Sequence, residues 1–136
     1  MLQTQSPHHL ISVEDYLTDE LTRETKHELI DGHIYMMAGA SANHERISVN
    51  ILTEFRNHLK LSACEPFGSD MKVKIGSNFF YPDAMVDCHF DESHPYYTES
   101  PSIIIEVLSK STRRIDETTK IFAYINIPSL QEYVLI

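Results

Sequence analysis

Apolar and polar positions along the chain change period several times, and each change marks an element. After Ser12, the residues Val13, Tyr16 and Leu17 share one helical face. Ser12 is placed as N-cap and Asp15 at the third helical position, which predicts a short helix. In "HELIDGHIYMM" two apolar-rich runs flank Asp31-Gly32, a tight-hairpin dipeptide, so strands are expected at 28–30 and 33–37. From Asn43 to Lys60 the residues Ile47, Ile51, Leu52, Phe55 and Leu59 keep helical spacing. Gly68 and Ser69 end the connection that follows.

"MKVKI" (71–75) alternates as a half-exposed strand does, with Met71, Val73 and Ile75 on one face, and Gly76-Ser77-Asn78 reads as a turn. "PDAMVDCHF" (82–90) is a further strand whose opening proline is tolerated at a first position. A polar loop, 91–101, leads into a strand at 102–108, a helix over 112–125 and a last strand at 132–136. From residue 43 onward the order is helix, three strands, helix, strand. The expected class is α/β or α+β, with a mixed sheet between helices behind an N-terminal helix and hairpin. The segment 102–136 would form a right-handed crossover.

Composition narrows the function classes. A chain of 136 residues suits one domain, and 42% hydrophobic with 23% charged residues is ordinary for a globular protein. Residues 1–11 are expected to be a flexible tail. No apolar run approaches the roughly 20 residues of a membrane span, and "MLQTQSPHHL" lacks the regions of a signal peptide. A cytoplasmic protein is therefore expected, with Cys64 and Cys88 reduced and semi-buried. The net charge of −9 argues against a bulk electrostatic hold on nucleic acid, and is compatible with a carboxylate site that recruits a divalent cation.

One residue violates its surroundings. Glu106 follows three isoleucines and precedes Val107-Leu108 in "SIIIEVLSKST". An unpaired carboxylate buried there costs several kcal/mol, so it must be neutral, paired or bound to a cation. Asp83 opens the preceding strand, and neighbouring strands lie about 4.8 Å apart, so the two carboxylates can converge. One or two carboxylates plus water suffice for Mg²⁺ or Mn²⁺, which would acidify a bound water and stabilise a phosphoryl-transfer transition state. The plainer readings are a turn role for Asp83 and a buried ion pair with a helix Lys or Arg for Glu106.

Lys120, four residues after Asp116, is either a solvated helix pair or a group that orients the attacking water. It flanks a stripe of Ile115, Thr119 and Phe122 and could reach inward. Glu28 in the hairpin and His44 at the start of the long helix are further candidates; their plain alternatives are a surface cross-strand pair and a helix-start residue. No HExxH, GxSxG, Walker loop or GxGxxG is present.

The stretches "HELIDGHIYMMAGASANHERI", "YPDAMVDC" and "IIIEVLSKSTRRIDETTKIFAYINIPSLQEYVLI" together resemble the Uma-two family, abundant in cyanobacteria and described as restriction-endonuclease-like. The resemblance runs from Leu10 to Ile136. It implies the PD-(D/E)XK nuclease fold with an αβββαβ core, Pro82-Asp83 as the PD element and Glu106 as the second acid. The usual lysine position is apolar here, Leu108, and Lys120 in the next helix matches the recurring family lysine. Glu28 and His44 also fall on recurrent positions, and Glu28 would complete the metal site. Members usually continue past "EYVLI", so an uncovered sheet edge is expected unless a partner covers it.

Two functions follow. One is a Mg²⁺-dependent (or Mn²⁺-dependent) endonuclease acting on DNA, acting as a homodimer, with a phosphate-binding patch at Lys110, Arg113 and Arg114. In it Asp83, Glu106 and Glu28 are metal ligands and Lys120 a catalytic group. The other is a catalytically silent assembly module that keeps the fold.

Overall fold

A computed structural model describes residues 10–109 and 116–136, with the side chains of Asp116 and Glu117 left aside. The expected phosphate patch at Lys110, Arg113 and Arg114, the start of the helix predicted from 112, and residues 1–9 of the predicted tail lie outside the described residues. Leu10 and Ile11 are described, and the Ile11 N–H donates to Gly32 O at 2.8 Å.

Helix α1 spans Val13–Glu20, and the Ser12 hydroxyl accepts from the Asp15 N–H as its N-cap. The hairpin β1 (His27–Ile30) and β2 (His33–Met36) follows. Both turn residues have positive φ, 53° at Asp31 and 83° at Gly32. That is the twist a two-residue hairpin needs and the reason for an Asp-Gly pair. Helix α2 (Ala42–Leu59) is capped by Ser41, whose hydroxyl accepts from the His44 N–H. It lies on the surface: Ile51, Leu52, Phe55 and Leu59 are half-buried, and Ser48 is its buried residue.

The strands that follow are β3 (Glu65–Phe67), β4 (Lys72–Ile75), β5 (Asn78–Phe80), β6 (Ala84–Asp87), β7 (Tyr97–Thr98) and β8 (Pro101–Glu106). A π-helical turn, Asp116–Lys120, runs into α3 (Ile121–Tyr124), and β9 (Glu132–Leu135) closes the order. The expected mixed sheet is present as two. One is five-stranded, β2-β1-β5-β4-β7, with β4 and β7 parallel. The other is four-stranded, β3-β6-β8-β9, antiparallel except for the parallel β8–β9 pair that a crossover connection requires.

Phe79 and Phe80 show how the layers are joined. Successive strand residues point to opposite faces, so each enters a different core. Phe79 packs with Tyr16, Leu29 and Ile34 beneath α1. Phe80 packs with Val73, Met85, Ile104, Tyr124 and Ile127, the core shared by both sheets and α3. Each fully buried phenylalanine stabilises the fold by about 1.5–3 kcal/mol from apolar area alone.

Two expectations are corrected. Cys64 and Cys88 form a disulfide. Glu65 pairs with Asp87 across β3 and β6, so the residues one step outward, Cys64 and Cys88, face each other at the strand ends. Second, the inward face of the last helix is not the stripe with Thr119 and Phe122; Thr119 is exposed and Phe122 is 72% exposed. Lys120 and Tyr124 are buried instead. The wider π turn shifts the helical register, so spacing counted at 3.6 residues per turn names the wrong face. Among the described residues no helix is long and apolar enough to cross a membrane.

Candidate active site

Strand β1 alternates: Leu29 enters the core under α1, and Glu28 lies on the opposite face, buried. One of its oxygens, Oε2, accepts from the Tyr81 backbone N–H at 2.8 Å. The same oxygen lies 3.2 Å from Lys120 Nζ. Lys120 Nζ is also 3.6 Å from Glu106 Oε2, at the end of β8. Glu106 is 2% exposed and Lys120 4%, so this three-membered pairing is out of water.

Asp83 comes to the same place by strand register. Ala84 pairs with Ile105 between β6 and β8, and one residue further along that ladder sets Asp83 opposite Glu106. Directly opposed residues of an antiparallel pair have Cβ atoms about 4.5–5.5 Å apart, on one face. Asp83 Oδ2 accepts from the Val107 N–H at 2.7 Å, which holds the carboxylate against the end of β8. From the first turn of α2, His44 Nε2 lies 3.2 Å from the same oxygen. His44 Nδ1 is buried and has no hydrogen-bond partner among the described residues.

The five residues singled out from sequence therefore form two contact sets, Glu28–Lys120–Glu106 and His44–Asp83. Facing positions on β6 and β8 join them. The plain reading of Glu106 as a buried ion pair holds as well, with Lys120 as the partner. Lys120 is buried and paired to these acids; the side chain of Asp116, its expected helix partner, lies outside the described residues.

Two positioning groups escaped the sequence. Tyr124 donates its hydroxyl to Glu106 Oε1 at 3.1 Å while its ring packs edge-on against Phe80 and Tyr133. Burial raises its phenol well above the usual range, and Glu106 and Glu28 add to that, so it remains a donor. Its signal was the four-residue spacing from Lys120, which puts both on one helical face. The Tyr81 N–H that holds Glu28 has no side-chain signature.

The donor set suits a hard divalent cation in kind, since carboxylate oxygens and water are what Mg²⁺ and Mn²⁺ take. Among the described residues, however, no three His, Cys, Asp or Glu side chains are gathered as a metal-binding group. The fit therefore rests on the facing pair Asp83 and Glu106, with Glu28 held back by Lys120.

Comparison with known proteins bears on the family and the fold. The model of a family described as "Putative restriction endonuclease" matches residues 13–136. An uncharacterized protein of Synechocystis is 40% identical over 134 residues, covering 96% of this chain and 70% of its own length. A second from the same organism is 37% identical over 132 residues, covering 93% and 75%. A crystal structure from Anabaena variabilis, titled a putative nuclease belonging to DUF820, superposes with a TM-score of 0.75 at 17% identity. It covers 91% of this chain and 73% of that one. At that identity the likeness establishes a shared fold.

Proposed function

The chain belongs to the Uma2 family, and from that premise we propose that it is a divalent-metal-dependent endonuclease hydrolysing phosphodiester bonds in DNA. The observation that carries the reading is the position of the Lys120 ammonium between two buried carboxylates, one of which faces Asp83 across β6 and β8. Asp83 and Glu106 would hold Mg²⁺ or Mn²⁺, with Glu28 as a third acid. When bound, the cation supplies a water of lowered pKa and charge stabilisation for the phosphorane-like transition state.

The chain's own residues do the rest. Lys120 orients the attacking water and neutralises charge on the phosphate as the leaving oxygen departs. Products are a 3′-hydroxyl and a 5′-phosphate. Tyr124 and the Tyr81 N–H keep Glu106 and Glu28 from rotating away. His44 fixes Asp83 through Nε2. A homodimer would set two such centres on one duplex.

A second reading is favoured by one observation: Lys120 already pairs with both glutamates, and no three-residue metal group is gathered among the described residues. On that reading the fold is an assembly module with a structural ion-pair cluster. Plasmid cleavage with Mn²⁺, together with calorimetric Mn²⁺ titration of wild type, Asp83→Asn and Glu106→Gln, separates the two. Cleavage and metal binding that both disappear in the variants support the nuclease. A wild type that neither binds Mn²⁺ nor nicks DNA leaves the assembly module.

A further inference from the structure

Lys72 is the buried cation that the catalytic reading does not use. It lies on β4, and Val73 beside it enters the shared core, so the lysine stem leaves by the opposite face of the sheet. Although a charged residue, it is 6% exposed. Among the described residues its ammonium has no hydrogen-bond acceptor and no carboxylate at salt-bridge distance; its contacts are aromatic. Nζ is 5.3 Å from the centroid of the Tyr81 ring and 5.9 Å from that of Tyr96. Lys26 approaches the same Tyr81 ring at 5.3 Å. Two ammonium groups thus converge on one ring.

The pattern continues along β4. Lys74 Nζ is 5.8 Å from the centroid of Tyr97, on which His94 is stacked at 5.0 Å. Two acids sit outside, Asp70 paired with Lys26 at 3.2 Å and Glu99 with Lys74 at 3.6 Å, both on exposed side chains that solvent screens, while the buried side chain of Glu20 accepts the hydroxyl of Tyr81 at 2.7 Å. Glu20 acts on Lys72 from a distance. The attraction of two ring quadrupoles returns only part of the hydration that a buried ammonium gives up. Burial accordingly lowers its pKa, with Glu20 opposing, and an anion close by would reverse the balance.

We infer that Lys72 and Lys26, converging on the Tyr81 ring, form a phosphate subsite for a single-stranded nucleic-acid segment whose bases stack on Tyr96. A buried cation with no salt bridge, beside the 55% exposed Tyr96, matches what such a strand presents, an anionic backbone with flat bases. Position links the subsite to the candidate centre. Tyr81 gives its ring to the two lysines and its N–H to Glu28, and stands two residues before Asp83, so their Cα atoms lie within about 7 Å. The inference rests on the nucleic-acid substrate proposed above and deepens it: the enzyme would grip, on the α1 face of the sheet, a strand that has left the duplex and passes the end of β5 to reach the carboxylates on the other face. It also gives an acidic protein a local hold on a polyanion.

The test is anisotropy of a fluorescein-labelled oligothymidylate titrated with the full chain in EDTA, so that cleavage plays no part. Lys72→Met keeps the stem and removes the charge; Tyr96→Ala changes an exposed residue and leaves the core intact. Each is expected to weaken binding about tenfold. Lys72→Met should also reduce the slope of log affinity against log salt by about 0.7, one phosphate contact on a single strand. Wild-type affinity and slope in both variants, or no binding by wild type, overturn the subsite. A parallel Mn²⁺ cleavage assay keeps the two proposals apart. Binding lost in the variants while wild type cuts nothing upholds the subsite and rejects the nuclease; cutting by wild type and variants alike, with equal affinity, does the reverse.

Discussion

Lys120 Nζ and Glu28 Oε2 meet at 3.2 Å, although one stands on a turn near the C-terminal strand and the other on the first strand of the chain. Both are buried, so each replaces water for the other, together with the Tyr81 N–H at Glu28 and Glu106 at Lys120. Removing the cation leaves Glu28 and Glu106 facing one another with their neutralising partner gone.

Lys120→Met should therefore lower the free energy of unfolding by about 3–5 kcal/mol, the range for breaking a buried pair from one side. Urea melts with an unchanged m-value measure this. Adding Glu28→Gln should recover about 1–3 kcal/mol, because the two residues are directly coupled. Additive losses would mean that the pair is not a unit.

Tyr124→Phe removes one hydroxyl from a hydrogen bond to a buried carboxylate, at an expected cost of about 1.5–3 kcal/mol. Its second expected effect is on ligand binding. With Glu106 no longer held at Oε1, Mn²⁺ titration should show weaker affinity than wild type at a temperature where both are folded. Equal affinity would assign the hydroxyl to stability alone.

Alkaline unfolding follows from the buried phenols. Tyr16 and Tyr124 are both raised above the ordinary 10.0, Tyr16 by burial and then by Tyr81 and Glu20, Tyr124 by burial and then by Glu106 and Glu28. Above pH 10 the unfolded chain loses these protons while the folded chain keeps them. Their contribution is complete below pH 10 and is lost as pH rises, with a slope of about 1.4 kcal/mol per pH unit for each tyrosine. Stability profiles of Tyr16→Phe and Tyr124→Phe should each be shallower by that amount.

Reduction of the Cys64–Cys88 disulfide releases a loop with a sequence separation of 24. By loop-closure entropy the bond stabilises the fold by about 3.5 kcal/mol. Melting with and without reductant, beside the Cys64→Ala/Cys88→Ala double variant, measures it. A double variant insensitive to reductant and matching the reduced wild type is the expected result.

The elements legible in the sequence were those with a local cause. Ser12 before Asp15, Asp31-Gly32 between apolar runs, and the α2 periodicity each carry their own geometry, and the structure has them where they were expected. The strands β3, β5 and β7 were not legible, because two or three residues are too few to show alternation. Asn78 was absorbed into the turn at Gly76 although it begins β5. The disulfide depends on the pairing of β3 with β6, a tertiary fact with no local trace. Glu106 stood out by its cost in an apolar run, whereas Tyr124 looked like an ordinary core aromatic. Its hydroxyl becomes meaningful only once β8 lies against α3.

The origins of the five candidate residues have a kinetic consequence. Glu28 comes from β1, His44 from α2, Asp83 from the approach to β6, Glu106 from β8 and Lys120 from the π turn. The β8–β9 crossover contains Glu106 and Lys120, and the contacts that bring in Glu28, His44 and Asp83 close longer loops. A nascent or partly folded chain can hold stable pieces, such as the β1–β2 hairpin, without assembling the centre. The set is complete only when the fold is, and a chain stalled short of that point carries the acids and the lysine apart.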